Sequence, residues 1–164
     1  MIILGIDPGT VRTGYGLVES SGSRLRHIDS GLVSPPSNFS LADKVRLIYD
    51  GLCKVIENYR PDELAIEEIF VGKNSRSALV LGHARGVALL AGNQRGLPIF
   101  GYTPAVVKKS VTGNGMATKE QVQEMVKILL KLPETAAEDA SDALALALCH
   151  SFRSKVLDQL LNRK

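Results

Sequence analysis

Apolar positions come in short runs over the first third of the chain and at helical spacing after that. Met1-Ile2-Ile3-Leu4-Gly5-Ile6 is continuously apolar, and Pro8 leaves it no length for a helix, so it predicts a buried strand ending at Asp7. Pro8-Gly9 predicts a turn, and Thr13-Gly14-Tyr15-Gly16-Leu17-Val18 the returning strand of a hairpin. Ser21-Gly22-Ser23 is a further turn, followed by a third strand over 24–33 that Pro35-Pro36-Ser37-Asn38 stops. Ser40 stands at an N-cap position, ahead of Leu41, Val45, Ile48, Leu52, Val55, Ile56 and Tyr59 at helical spacing. Arg60-Pro61-Asp62 ends that helix, and residues 63–69 predict a short buried strand.

The second half is mostly helical. Residues 74–94 predict a long helix bearing Leu79, Leu81, Val87, Leu89 and Leu90, with Gly82, Ala84, Gly86 and Ala88 crowding its middle, where something packs closely. Residues 96–100 predict the last strand, and Thr103-Pro104 opens a short helix with proline at its first position. Thr118-Lys119-Glu120-Gln121 fits a capping box before Val122, Met125, Val126, Leu129 and Leu130. Pro133 interrupts, 134–152 predict the final helix, and an exposed tail follows. Three strands in a meander, then two reached through helical crossovers and parallel to the first, predict an α/β fold: a five-stranded mixed sheet flanked by helices.

Composition narrows the function classes. The 164 residues, 45% of them hydrophobic, suit one domain with a sizeable core, expected over 1–153 with a tail over 154–164. A net charge of +3 leaves no polybasic tail, so any nucleic-acid surface must be a local patch. Cys53 and Cys149 lie inside apolar helical patterns and read as reduced core residues of a cytoplasmic protein. The first residues lack the charged region of a signal peptide, and no apolar stretch reaches the ~18 residues that span a bilayer.

The chemistry rests on carboxylates. Asp7 ends the first strand, where a desolvated carboxylate needs a cation or hydrogen-bond donors; the competing reading has it bonding turn amides. Glu67 and Glu68 lie in a buried strand and point to opposite faces, and periodicity leaves open which faces the site. Asp139 and Asp142 share one face of the final helix. Asp139, beside Glu138, also suits the helix dipole alone. Asp142 precedes Ala143-Leu144-Ala145-Leu146-Ala147-Leu148, apolar nearly all round, so it enters a buried helix and needs a partner. Converged, the four would suit two hard divalent ions flanking a phosphodiester.

Basic residues are a weaker signal. Lys73, Arg76 and Arg85 flank the loop after the acidic strand, with Phe70 at its start, and would suit a DNA backbone and an exposed base; a solvated face and a core phenylalanine are the competing reading. Lys119 falls in a helix's first turn, where a cation is disfavoured, and Lys108 precedes it; both could reach a phosphate. His27, His83 and His150 show no ligand spacing and read as bystanders.

Taken together, Gly5-Ile6-Asp7-Pro8-Gly9, Ala65-Ile66-Glu67 with Phe70, Lys73-Asn74, Gly82-His83-Ala84-Arg85-Gly86 and Asp139-Ala140-Ser141-Asp142-Ala143-Leu144-Ala145 resemble the RuvC family of bacterial Holliday junction resolvases over nearly the whole chain. The resemblance implies an RNase H-like fold, a homodimer, and Mg²⁺-dependent nicking of two opposed strands of a four-way DNA junction in recombination and repair. Mn²⁺ would substitute, and the RuvA–RuvB branch-migration machinery would be the partner. It selects Glu67 over Glu68 and makes Asp7, Glu67, Asp139 and Asp142 the metal-binding carboxylates. Lys108 and Lys119 become the basic residues needed for activity and Phe70 the aromatic near the junction centre. Rival readings are an actin-like ATPase or sugar kinase, whose phosphate hairpin also carries Gly-Ile-Asp-x-Gly-Thr, a non-catalytic junction-binding module, and an RNase H-like nuclease acting on structured RNA.

Overall fold

A computed structural model describes residues 1–69 and 75–161, with the side chains of 77–154 in the second stretch. The strands are β1 (Ile2–Asp7), β2 (Thr13–Ser21), β3 (Arg24–Val33), β4 (Glu63–Glu67) and β5 (Ile99–Tyr102). The helices are α1 (Leu41–Tyr59), α2 (Ser75–Gln94), α3 (Pro104–Thr112), α4 (Lys119–Leu130) and α5 (Glu138–Leu161). The sheet order is β3-β2-β1-β4-β5. β1 is central, antiparallel to β2 and parallel to β4, and β5 runs parallel to β4, as the connection lengths require. This is the five-stranded mixed sheet flanked by helices that the sequence predicts.

The local signals act where they stand. Ser40 caps α1 by accepting from the Asp43 amide, Pro104 opens α3 behind the cap Thr103, and Thr118 and Gln121 form both bonds of a capping box on α4. A buried apolar layer lies on each face of the sheet. Leu4, Ile6, Leu17, Leu64 and Ile66 pack against α1 and α2. Ile3, Val18 and Ala65 pack against α3, α4 and α5. Cys149 is buried and Cys53 half-buried, both as free thiols. Among the described residues no helix is long and apolar enough to cross a membrane.

Three expectations need correction. The last strand lies at Ile99–Tyr102 instead of 96–100, because its register comes from pairing Leu64 with Ile99 through Glu67 with Tyr102, while Gly96 takes a turn at φ 69°. The final helix starts at Glu138 and runs on through Leu161, so its backbone shows no break at 153. In α2 the close packing expected at the small residues is found at Ala84 and Ala88, which with Ala91 are fully buried, while Val87 and Leu89 pack partly against the same layer and Leu79 and Leu90 are exposed. His150 is no bystander in the packing. It is buried, with Nε2 2.5 Å from Glu63 Oε2 and Nδ1 2.6 Å from Tyr102 Oη, and it ties α5 to β4 and β5 at the far end of β4 from Glu67.

Candidate active site

Glycines on one face of the sheet let α5 settle onto it. Gly5 pairs with Gly16, and Asp7 with Gly14, across β1 and β2. Partners in a ladder and residues two apart share a face, so all four point to the same side. A Cβ at Gly5 would lie 1.9 Å from the Ala143 carbonyl oxygen, and one at Gly14 2.0 Å from that of Asp139. Only hydrogen fits there, and the start of α5 is thereby laid beside Asp7. Strand glycines cost stability and often mark a close backbone approach. Three of them on one face, beside the acidic residue, were the available signal for where the final helix docks.

Register also decides between the two glutamates. Ile6 pairs with Ile66 across β1 and β4, so Asp7 and Glu67, the next residues, point to the same face. Glu67 hydrogen-bonds Asp7, while Glu68, which also borders the cleft, is exposed and has its carboxylate beside Gly101. Asp7, Glu67, Asp139, Asp142, Lys108 and Lys119 all line one cleft of about 520 Å³. Phe70 and Lys73 lie outside the described residues, as does the side chain of Arg76.

The cleft is strained by its own charge. Burial, then the negative charge of Glu67 and Asp142, pushes the Asp7 carboxyl from its ordinary 3.8 up to about 8. Burial raises Glu67 as well, against the pull of its bond to Asp7. Asp142 is raised by burial and drawn back by Lys119. A hydrogen bond between two carboxyl groups needs a proton on one of them, and the upward shift of both groups favours that protonated form. The oxygen-only donor set is what a hard divalent cation prefers, and such a cation relieves the same repulsion. As the side chains stand, no three His, Cys, Asp or Glu among the described residues converge closely enough to hold an ion. The site fits a cation by the chemistry of its donors.

The lysines approach from α3 and α4. Lys119 Nζ lies 2.6 Å from Glu138 Oε1 and 3.8 Å from Asp142 Oδ2. Its bond to Glu138 holds the ammonium above the ordinary lysine range. This pairing explains how a cation is tolerated in the first turn of α4. Lys108 is half-buried, and its charge acts on Asp142. Sequence reasoning missed the Glu138 partner, which carried no signal beyond its place in a helix's first turn. It also missed Arg12 on the cleft wall and the bond Arg85 Nε donates, at 3.0 Å, to the backbone carbonyl of Glu67.

Comparison with known proteins agrees with this geometry. The family model described as crossover junction endodeoxyribonuclease RuvC matches residues 3–150. The RuvC of Syntrophotalea carbinolica is 58% identical over 151 residues, covering 92% of this chain and 94% of that protein. The RuvC of Geobacter sulfurreducens is 52% identical over 161 residues, covering 98% of each. The structure of Thermus thermophilus RuvC in complex with Holliday junction substrate superposes with a TM-score of 0.89 at 32% identity, over 95% of this chain and 96% of that one. A sheet that gathers acidic residues from β1, β4 and α5, matched in sequence over nearly its full length, shows that the chain belongs to the RuvC family of crossover junction endodeoxyribonucleases, with their RNase H-like fold.

Proposed function

We propose that Asp7, Glu67, Asp139 and Asp142 hold two divalent cations, Mg²⁺ with Mn²⁺ as a substitute, and that Lys108 and Lys119 serve the same cut. The chain is an endodeoxyribonuclease that resolves four-way (Holliday) junctions in recombination and repair. The observation that carries the site assignment is the meeting of four carboxylates from three elements in one cleft with two lysines. Bound there, the cations would supply an activated water and a stabilised leaving oxygen. The chain itself holds the carboxylates on rigid strand and helix termini and faces the scissile phosphate with lysine charge. Breaking the Lys119–Glu138 pair would free the ammonium for a phosphate oxygen.

The direct test offers a four-way DNA junction, a linear duplex of the same sequence and a structured RNA in Mg²⁺. The expected result is paired nicks in opposed strands of the junction alone. Equal cutting of the duplex, or preference for the RNA, overturns the junction reading.

Two symmetric cuts call for two active sites, and a two-fold dimer is the common way to supply them. The α2 stripe of Leu79, Gly82, Gly86 and Leu90 is the proposed interface, because it leaves large apolar side chains in water on a helix whose alanines already face the core. A Cβ at Gly86 meets nothing within 4 Å, so a bulky residue leaves the protomer unstrained. Gly86→Trp is therefore expected to fold normally and to shift sedimentation from dimer towards monomer. A wild-type monomer at working concentration, or an undisturbed Gly86→Trp dimer, removes this face as the interface. Work with the RuvA–RuvB machinery in the cytoplasm completes the reading.

A further inference from the structure

We infer that Arg85 is a positioning residue for the cleavage reaction, fixing the end of β4 by donating from Nε to the Glu67 carbonyl and so holding the Glu67 carboxylate in the acidic cleft. The inference rests on the assignment of Glu67 to the site. Its basis is where strand β4 stops. The ladder between β1 and β4 closes at the pair Ile6 and Ile66, one residue before Glu67. On the β5 side Glu68 still donates to the Tyr102 carbonyl. The Glu67 carbonyl is taken by a side chain from a helix, at 3.0 Å.

That helix is placed to reach it. Ala84 and Ala88 are fully buried in the apolar layer that contains Leu64 and Ile66, so this face of α2 is turned to the layer that covers β4. Towards its other end a Cβ on Gly92 would meet the Leu64 side chain, Cδ1 at 2.8 Å, so the helix packs on a side chain that β4 projects. Arg85 follows Ala84 directly and is half-buried. Glu67 needs such a restraint. It sits at a strand end, desolvated, with the negative charge of Asp142 acting against it and a carboxyl group as hydrogen-bond partner. Within that cluster the positive charge of Lys119 draws on Glu67 while the negative charge of Asp142 opposes it. A donor on its backbone holds the residue without adding a competing group at its carboxylate.

The rival role for Arg85 is a contact to a DNA phosphate, and two substitutions separate the roles. The Nε2 of glutamine stands as many bonds from Cα as the Nε of arginine, so Arg85→Gln keeps a donor and drops the charge. Arg85→Met keeps the length and has neither. Loss of a group that orients a ligating residue typically costs about 10–100-fold in activity. At saturating four-way junction in Mg²⁺, Arg85→Met is expected to lower kcat by about that factor, with KM for the junction within about twofold. Arg85→Gln is expected to return kcat to within a few-fold of wild type, and neither variant is expected to change the salt dependence of junction binding. Arg85→Ala repeats the donor loss in case the methionine variant does not fold. Equal loss of binding in both variants, with the salt slope reduced by about one, marks a phosphate contact and overturns the inference. Wild-type kcat in Arg85→Met and Arg85→Ala overturns it too. A wild-type protein that leaves the junction uncut would overturn the proposed function itself, a result the variants do not produce.

Discussion

Asp142→Asn is expected to stop junction nicking while leaving junction binding intact. Asp142 is a half-buried carboxylate at the point where α5 enters the apolar layer, facing Lys119 at 3.8 Å. Asparagine keeps its shape and removes the charge that a divalent cation would balance. Outer-shell partners of a metal site already cost about 10–100-fold when lost, so a direct ligand is expected to cost at least a hundredfold in nicking. Binding moves the other way, since one charge repelling the phosphates is gone. Stability in chelator is expected to hold or rise. The desolvation of a carboxylate is relieved, and the lost pairing is with a lysine that is largely exposed and keeps its closer contact to Glu138. Nicking in Mg²⁺, junction binding without metal and thermal melting, all on one preparation, check the three parts. Near-normal nicking would remove Asp142 from the site and leave Asp139 as the ligand of that helix. Binding and stability lost together would make Asp142 a structural partner.

What the sequence shows and hides divides along local and non-local causes. The hairpin after Asp7, the Ser40 and Thr118 caps and Pro104 at the head of α3 are written within a few residues, and each acts where it stands. The choice of Glu67 over Glu68 depends on the register of β4 against β1, which no window around the two glutamates contains. The descent of α5 onto β1 and β2 depends on three glycines that share a face only once two strands are paired. In α2 the small residues mark a close approach from the sequence, and Ala84 and Ala88 are indeed fully buried, but which leucines stay in water, Leu79 and Leu90, depends on how the helix sits on its neighbours. A basic side chain on a helix reads alike whether it ends on a phosphate or on a carbonyl, so the place of Arg85 on the Glu67 backbone had no signature of its own.

Without metal, the protein is expected to lose stability as pH rises from about 4 to about 8. The Asp7 carboxyl is raised from 3.8 to about 8, so the folded state holds a proton that the unfolded chain releases at far lower pH. A raised carboxyl contributes stability that is complete below the unfolded value and is lost as pH climbs through the folded one. Glu67 and Asp142, raised as well, act in the same direction. Glu19 and Glu120 are lowered by their partners and act oppositely, losing their contribution only as pH falls below the ordinary glutamate range. Maximal stability in chelator is therefore expected near pH 4, with a decline above it on the order of a few kcal/mol from Asp7. A divalent cation held there would displace that proton, since ligands must be deprotonated to bind it. Saturating Mg²⁺ is thus expected to stabilise most at high pH and to flatten the profile. Asp7→Asn removes the titrating group and is expected to flatten it without metal. Thermal melting of both proteins at pH 5, 7 and 9, in chelator and in Mg²⁺, gives the comparison. A melting temperature that rises with pH in chelator, or an Asp7→Asn profile as steep as that of the wild type, would show that the strain in the cleft is not stored at Asp7.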